Sequence, residues 1–173
     1  MTAEELRNRQ APLKQEYRER AEAALVTLRA EGDLGEGIAC NVSTARAMVE
    51  AGLHPATGGT GVQACSGDML LQALVACAGV TLSAVATAIG VLIAAGSLRA
   101  EGDLDFRGTL GVARDVPVGF KEIRLFVTLD TTASPEELAK LLQLTERYCV
   151  VLQTLRTPPV LSATITNSAA SAD

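Results

Sequence analysis

Residues 69–98 carry no charged side chain, and this run constrains the fold more than any other feature of the chain. Its sequence, MLLQALVACAGVTLSAVATAIGVLIAAGSL, is built from small and aliphatic residues and contains Cys77. A helix that is apolar on all sides lies either in the centre of a large core or in a membrane. About 20 apolar residues suffice to cross a bilayer, but this run contains Gln72 and lacks the flanking basic cluster and aromatic belt of a spanning helix. The sequence therefore favours a core helix and predicts no membrane partner.

Composition narrows the class of protein. The 173 residues suit one domain or one subunit of a compact oligomer. Apolar residues make up 48% and aromatic residues only 3%, so the core is predicted to consist of Ala, Leu and Val. A net charge of −5 argues against nucleic acid as the main partner, because that role needs a clustered basic surface.

The cysteines and the N-terminal segment indicate a cellular compartment. Four cysteines without a CxxC pair match neither a zinc ribbon nor a dense disulfide scaffold. The segment MTAEELRNRQAPLKQEYRER is highly charged and has no apolar stretch typical of a signal peptide. A cytoplasmic protein is therefore predicted, in which a disulfide is more often catalytic or regulatory than structural.

The pattern along the chain predicts an α+β fold, with antiparallel strands beside two core helices. A capping box formed by Thr2 and Glu5 begins a helical arm over residues 1–23. One domain is expected over residues 24–166, and residues 167–173 are expected to be disordered. The pattern then predicts two strands joined by a Gly-rich turn at 32–37 and a short helix at 45–51. A long helix is capped by Ser66 and ends near Gly90, and strands follow at 98–106 and 120–130, with 109–114 extending the sheet. A helix from Ser134 and a last strand at 160–166 complete the predicted elements.

The helix that starts at Ser134 carries the second cysteine of interest. Ser134, Pro135 and Glu137 supply an N-cap, a proline at the first helical position and a capping-box acid. An apolar stripe then runs along one face of this helix, through Leu138, Leu141, Leu142, Thr145, Cys149 and Leu152. Cys149 is therefore predicted to point toward the core.

Cys77 and Cys149 allow two interpretations. Free cysteine is among the most buried residue types, so both thiols could simply be packing. Alternatively, a Cys77 thiolate could attack a peroxide and become a sulfenic acid, with which Cys149 would condense to a disulfide. The second interpretation requires the two Cα atoms to lie within roughly 7 Å of each other.

Other chemically capable residues are weaker candidates. Cys40 lies between Ile38 and Val42 on one strand face, where packing is expected, and Cys65 is interpreted as a loop thiol. His54 lies in a Gly-rich loop, where a site role stays open. A metal site made from Cys40, His54, Cys65 and Cys77 lacks a recognisable ligand spacing. The Gly58–Gly61 cluster does not form a dinucleotide-binding GxGxxG turn, so neither metal nor cofactor is predicted.

Several segments together resemble the OsmC/Ohr family of osmotically inducible and organic hydroperoxide resistance proteins. SGDMLLQALVACAGVT, which holds Cys77, is similar to the core motif of that family. GDLDFRGTLG, PVGFKEIRLFVTLD and the helix ending at Glu146–Cys149 follow in the family's order and spacing. The resemblance covers residues 24–166.

The resemblance implies a fold and a function. The fold would be α+β, with curved antiparallel sheets around two long central helices in an intertwined homodimer. The function would be a thiol peroxidase that reduces organic hydroperoxides without haem or metal. Cys77 would be the peroxidatic cysteine, Cys149 the resolving cysteine, and a dithiol the reductant. The alternative is a non-catalytic module of the same fold that binds an apolar ligand at the dimer interface.

The sequence departs from the family pattern around both cysteines. Ser66 stands where the family has proline, Gly67 stands where it has an acid, and Val150 stands where a proline often follows the second cysteine. The loop upstream of Cys77 has no clear match to the family's catalytic arginine. The candidates to replace that cation are Arg46, Arg114 or an arginine of the other subunit.

Overall fold

The structure is a computed structural model that describes residues 2–5, 8, 11, 19, 31–34, 39–43, 48–111 and 113–167. Most of the predicted arm over residues 1–23, the candidate Arg46 and the tail beyond residue 167 lie outside these residues. The predicted capping box at the N-terminus is confirmed. The Glu5 amide donates to Thr2 Oγ1 at 3.1 Å, and the Thr2 amide donates to Glu5 Oε2 at 2.8 Å.

From residue 31 onward, the described elements are six strands, four helices and one 3₁₀ turn. In chain order they are β1 (Glu31–Leu34), β2 (Ala39–Ser43), β3 (Met48–Gly52), a 3₁₀ turn (Pro55–Thr57), β4 (Ala64–Cys65), α1 (Ser66–Ile89), β5 (Ala95–Leu104), α2 (Phe106–Thr109), β6 (Phe120–Asp130), α3 (Pro135–Tyr148) and α4 (Val150–Arg156). Strands and helices are mixed along the chain, which confirms the α+β class.

The N-terminal sheet has the strand order β1-β2-β3-β4. The first three strands are antiparallel, and the short β4 pairs with β3 in parallel. The helix predicted at residues 45–51 is wrong, because Met48–Gly52 forms β3. The backbone groups of β3 pair with those of β2, where Val49 lies opposite Val42. This ladder provides the hydrogen bonds that a helix would otherwise provide.

Residues 69–89 of the uncharged run lie in α1, the central helix of the protein, and the run ends in the first residues of β5. Cys65 is the N-cap, one residue before the predicted Ser66, and Asp68 lies in the first turn. Gly90 ends the helix with a φ of 80°, a left-handed conformation that glycine adopts without a steric penalty. Four residues spaced four apart form its buried stripe, namely Leu74, Ala78, Leu82 and Ala86.

The second sheet is the antiparallel hairpin of β5 and β6. Its inner face, which includes Ile123, Leu125 and Val127, packs on the buried stripe of α1. The predicted strand at 109–114 is wrong. Asp105 Oδ1 accepts the Arg107 amide at 3.2 Å and starts the short helix α2, so the chain leaves the sheet there.

The capping box that begins α3 is confirmed. The Glu137 amide donates to Ser134 Oγ at 3.2 Å, and the Ser134 amide donates to Glu137 Oε2 at 2.8 Å. Leu141, Thr145 and Cys149 are buried as predicted, whereas Leu142 is 47% exposed. The helix ends at Tyr148 and a second helix, α4, begins at Val150.

The last strand predicted at residues 160–166 is wrong for the single chain. Residues 157–167 have no regular secondary structure, and Val160 and Ile165 are almost fully exposed. A strand needs a neighbour that accepts and donates its backbone hydrogen bonds. The hydrophobic alternation is present here, but no strand in the described part of the chain pairs with it.

Packing around Leu141 should dominate the stability of the fold. This side chain is 1% exposed and lies in one cluster with Leu82 and Ala86 of α1. We expect Leu141→Ala to lower the free energy of unfolding by about 2–5 kcal/mol, because the lost contacts leave a cavity. The exposed neighbour provides the control: Leu142→Ala should cost less than about 1 kcal/mol in urea titrations at the same protein concentration. Equal losses in the two variants would contradict this assignment of the core.

Candidate functional site

Cys77 lies on α1 between the two interior residues Leu74 and Ala78. It is half-buried and packs against a cluster formed by Leu74, Ala78 and Cys149. Ala78 is fully buried, and its small side chain lets the segment that carries Cys149 approach α1 closely. The structure thus brings together the two cysteines that the sequence selected.

Cys149 occupies the junction between α3 and α4. Its backbone is extended, with a φ of −72° and a ψ of 108°, so it closes one helix and opens the next. Its amide still donates to the Thr145 carbonyl at 2.9 Å, and its carbonyl accepts the Gln153 amide at 2.9 Å. Its side chain is fully buried and reaches the sulfur of Cys77.

Hydrogen bonds lower the pKa of the Cys77 thiol below its ordinary value. Burial is the largest single effect and raises this pKa, because it disfavours the thiolate. Four donors together outweigh burial, and they are the Val151 amide, the Cys149 thiol, the Val150 amide and the Thr81 hydroxyl. Each stabilises the thiolate by donating to the sulfur. The Cys77 thiol therefore ionises more readily than an ordinary cysteine, which favours it as a nucleophile.

The pKa of Cys149 is raised instead. Burial is again the largest effect, and the charge on Cys77 and the hydrogen bond given to it add in the same direction. The amides of Leu152 and Val151 oppose this shift without overcoming it. The pKa values of the two thiols therefore shift in opposite directions, and the protonated Cys149 thiol donates a hydrogen bond to the Cys77 sulfur.

Apart from burial, the main effects on the Cys77 pKa are hydrogen bonds with uncharged groups. Four arginines of the described chain pair with carboxylates elsewhere: Arg99 with Glu101, Arg107 with Asp105, Arg124 with Asp103, and Arg156 with Glu146. Arg46 lies outside the described residues, so its role as a candidate cation stays a prediction, as does that of Arg114 or an arginine from another subunit.

The remaining candidate residues lie at the far end of α1. Cys65 is half-buried at its N-cap. His54 Nδ1 accepts the Ala56 amide at 3.1 Å, and its ring stacks on Phe106 at 5.0 Å between centroids, so the imidazole has a local structural role. Within the described ranges, no three His, Cys, Asp or Glu side chains gather where they could hold a metal ion.

An apolar groove of about 680 Å³ runs beside the cysteine pair. Its lining is mostly aliphatic, from Leu70, Leu74, Ile123, Leu125, Val127, Leu142, Leu152 and Leu155. Leu74 and Leu152 also pack in the cluster around Cys149, so the groove adjoins the cysteine pair. Charged side chains also line the groove, including Lys121 and Arg156.

The sequence of this region matches a known family. Residues 59–164, more than half of the chain, fit the family described as OsmC-like protein. The chain belongs to the OsmC-like family. This match includes Cys77, Cys149 and the elements that bring them together, and it confirms the resemblance seen in the sequence. No curated protein sequence matches the chain significantly.

Solved structures show the same fold in other OsmC-like proteins. An OsmC-like protein from Mycoplasma pneumoniae is 18% identical and superposes with a TM-score of 0.64, covering 77% of this chain and 89% of that one. An organic hydroperoxide resistance protein from Elizabethkingia anophelis is 17% identical, with a TM-score of 0.61 and coverages of 78% and 91%. An organic hydroperoxide resistance protein OsmC from Legionella pneumophila is 18% identical, with a TM-score of 0.60 and coverages of 77% and 91%. At these identities the likeness establishes the fold.

The groups that donate hydrogen bonds to Cys77 were not predicted from the sequence. Thr81 lies four residues after Cys77, a spacing that places both side chains on one helix face and could have revealed it. The amides of Val150 and Val151 gave no such signal, because their availability depends on the helix break at Cys149.

Thr81 offers a direct test of this electrostatic description. We expect Thr81→Val in this OsmC-like protein to raise the pKa of Cys77, because the thiolate loses one donor. The pH midpoint of Cys77 alkylation by iodoacetamide, mapped by peptide mass, measures the shift. The control is Thr87→Val, which alters a threonine on the same helix whose hydroxyl donates to the Ser83 carbonyl. An unchanged midpoint in Thr81→Val would contradict the assigned hydrogen bond.

Proposed function

We propose that this protein is a cysteine-based thiol peroxidase that reduces organic hydroperoxides in defence against oxidative stress. The observation that carries the proposal is the pairing of the two thiols. Cys77 has a lowered pKa and Cys149, whose pKa is raised, donates to it from a fully buried position. Membership of the OsmC-like family and the two hydroperoxide resistance proteins of the same fold support the choice of substrate.

The first step uses the nucleophile. The Cys77 thiolate attacks the distal oxygen of the hydroperoxide, a sulfur–oxygen bond forms and the oxygen–oxygen bond breaks. The alkoxide leaves and takes a proton from water to become the alcohol. Cys77 is oxidised to a sulfenic acid, and the hydroperoxide is reduced. The amides of Val150 and Val151 stabilise the thiolate before the attack.

The second step uses the buried thiol. The sulfur of Cys149 attacks the Cys77 sulfur, a disulfide forms and the sulfur–oxygen bond breaks, releasing water. A dithiol reductant then exchanges with this disulfide, which restores both thiols and oxidises the reductant to its own disulfide. Such a cycle requires a reducing compartment, so we place the protein in the cytoplasm.

The apolar groove favours bulky organic substrates. Leu70 and Leu74 of α1 both face it. Its other walls are the inner face of β6 and the helices α3 and α4. An apolar peroxide gains hydrophobic contact there that hydrogen peroxide cannot gain. We expect cumene hydroperoxide to oxidise the protein faster than hydrogen peroxide does.

The competing function is binding of an apolar ligand without catalysis, and the same groove favours it. A volume of about 680 Å³ lies within the range of small-molecule sites. Under this alternative both thiols serve only as packing. Copurified lipid together with thiols that resist peroxide would support it.

Substitution of single cysteines separates the two functions. We expect Cys77→Ser to lower turnover of cumene hydroperoxide with dithiothreitol by at least about a hundredfold, since the nucleophile is lost. Cys149→Ser should still undergo one oxidation, to a sulfenic acid that dimedone traps. The control Cys65→Ser changes a half-buried cysteine outside the pair and should retain turnover. Normal turnover by Cys77→Ser would refute the peroxidase proposal.

We propose that the protein works as a homodimer. One face of α1 and the segment after α4 are not covered by other described residues: Val80 is 73% exposed, Leu161 83% and Ile165 98%. By length and composition α1 could also cross a bilayer, a property that core helices share. A second copy that covers these surfaces accounts for them together, including the alternating segment 160–166, which lacks a strand neighbour.

The dimer proposal is tested by the mass in solution. We expect the wild-type chain to sediment at twice the 18.0 kDa chain mass. Val80→Glu should shift this equilibrium toward monomer, because it would bury an unpaired carboxylate in the interface. Val62→Glu, at a loop position that is 88% exposed, is the matched control. A wild-type monomer in detergent-free buffer would contradict the proposal.

A further inference from the structure

The break between α3 and α4 frees a backbone donor. In an unbroken helix the Val150 amide would donate to the Glu146 carbonyl four residues earlier. The extended backbone of Cys149 turns this amide away, and it donates to the Cys77 sulfur instead. A carbonyl at the end of α3 then requires another donor.

The side chain of Gln153 supplies that donor. Its Nε2 atom donates to the Glu146 carbonyl at 2.7 Å, and the residue is half-buried. Its own amide donates to the Cys149 carbonyl at 2.9 Å, so Gln153 is attached to both sides of the break. A second link runs beside it, from Arg156 Nη2 to Glu146 Oε2 at 3.3 Å.

We propose that Gln153 is a positioning residue for the Cys77 nucleophile, because its side-chain amide occupies the Glu146 carbonyl and leaves the Val150 amide directed at the Cys77 sulfur. Gln153 does not touch Cys77. It acts through the backbone, by making the broken conformation more favourable than a continuous helix. The role depends on the amide of Val150, which a proline at that position would lack.

Removal of the Gln153 side-chain donor should allow α3 and α4 to form one continuous helix in competition with the broken conformation. Without it the Glu146 carbonyl is left unsatisfied unless the Val150 amide returns to it. Cys77 would then lose a donor, and its thiolate would become less favourable. The charge on the nucleophile therefore depends on a neutral side chain one turn beyond the break.

The test compares isosteric variants by the pH dependence of Cys77 alkylation in the reduced, full-length protein. We expect Gln153→Met, which keeps the shape and lacks the donor, to raise the midpoint by roughly one pH unit. Gln153→Lys, whose amine can still reach the carbonyl, should restore most of the shift. The matched control Gln143→Met alters an exposed glutamine of α3 and should titrate like the wild type. A folded Gln153→Met with the wild-type midpoint would overturn the proposal.

A measurement on the wild-type protein tests the same hydrogen bond without depending on whether a variant folds. The amide resonance of Val150 should shift with pH at the same midpoint as Cys77 alkylation, because the two groups share a hydrogen bond. An amide that does not follow this titration would also overturn the proposal. The inference rests on the proposed function only where it calls Cys77 the nucleophile of a peroxidase. The effect of Gln153 on the Cys77 pKa does not depend on that activity. A raised midpoint in Gln153→Met, in a protein that turns over no peroxide, would support the positioning role and refute the peroxidase.

Discussion

Close packing of α1 against the α3–α4 segment is the contact on which the rest of the structure depends. The buried stripe of α1 alternates Leu74, Ala78, Leu82 and Ala86, so large side chains fill the interface while small ones permit close approach. Ala78 is fully buried where Cys149 packs. The hairpin of β5 and β6 covers the same stripe from the other side and completes the core. A larger residue at position 78 would push Cys149 away from Cys77, so the packing and the chemistry share one constraint.

Neutral hydrogen-bond donors account for the activated thiol in this chain. Burial works against the thiolate of Cys77, and a buried anion needs compensation from charge or from hydrogen bonds. The two first amides of α4, the Cys149 thiol and the Thr81 hydroxyl supply it. The same arrangement keeps Cys149 protonated until it is required, because the charge on Cys77 raises its pKa. The two thiols are thus distinguished by their surroundings and not by residue type.

Much of this could be predicted from local sequence patterns. The capping box at Ser134, the exact span of β6 and the left-handed glycine after α1 depend on residues near one another in the chain, and the structure confirms them. The errors have one common cause. The pattern of residues 48–52 is ambiguous, and that of residues 160–166 is typical of a strand. Whether either segment forms a strand depends on a neighbouring strand from elsewhere in the fold. The break at Cys149 was missed because the apolar stripe continues past it to Leu152.

The sequence by itself determined the family, the mixed α and β elements and the two cysteines on apolar helix faces, since each of these is a matter of periodicity, caps and residue order. Only the tertiary structure decided that the two sulfurs meet, which of them becomes the thiolate and which donors stabilise it. Those properties arise from backbone amides that every residue but proline carries, so residue type does not reveal them. Their direction is fixed by the Cys149 break and by the Gln153 side chain, through contacts that exist only once α4 has folded against α1.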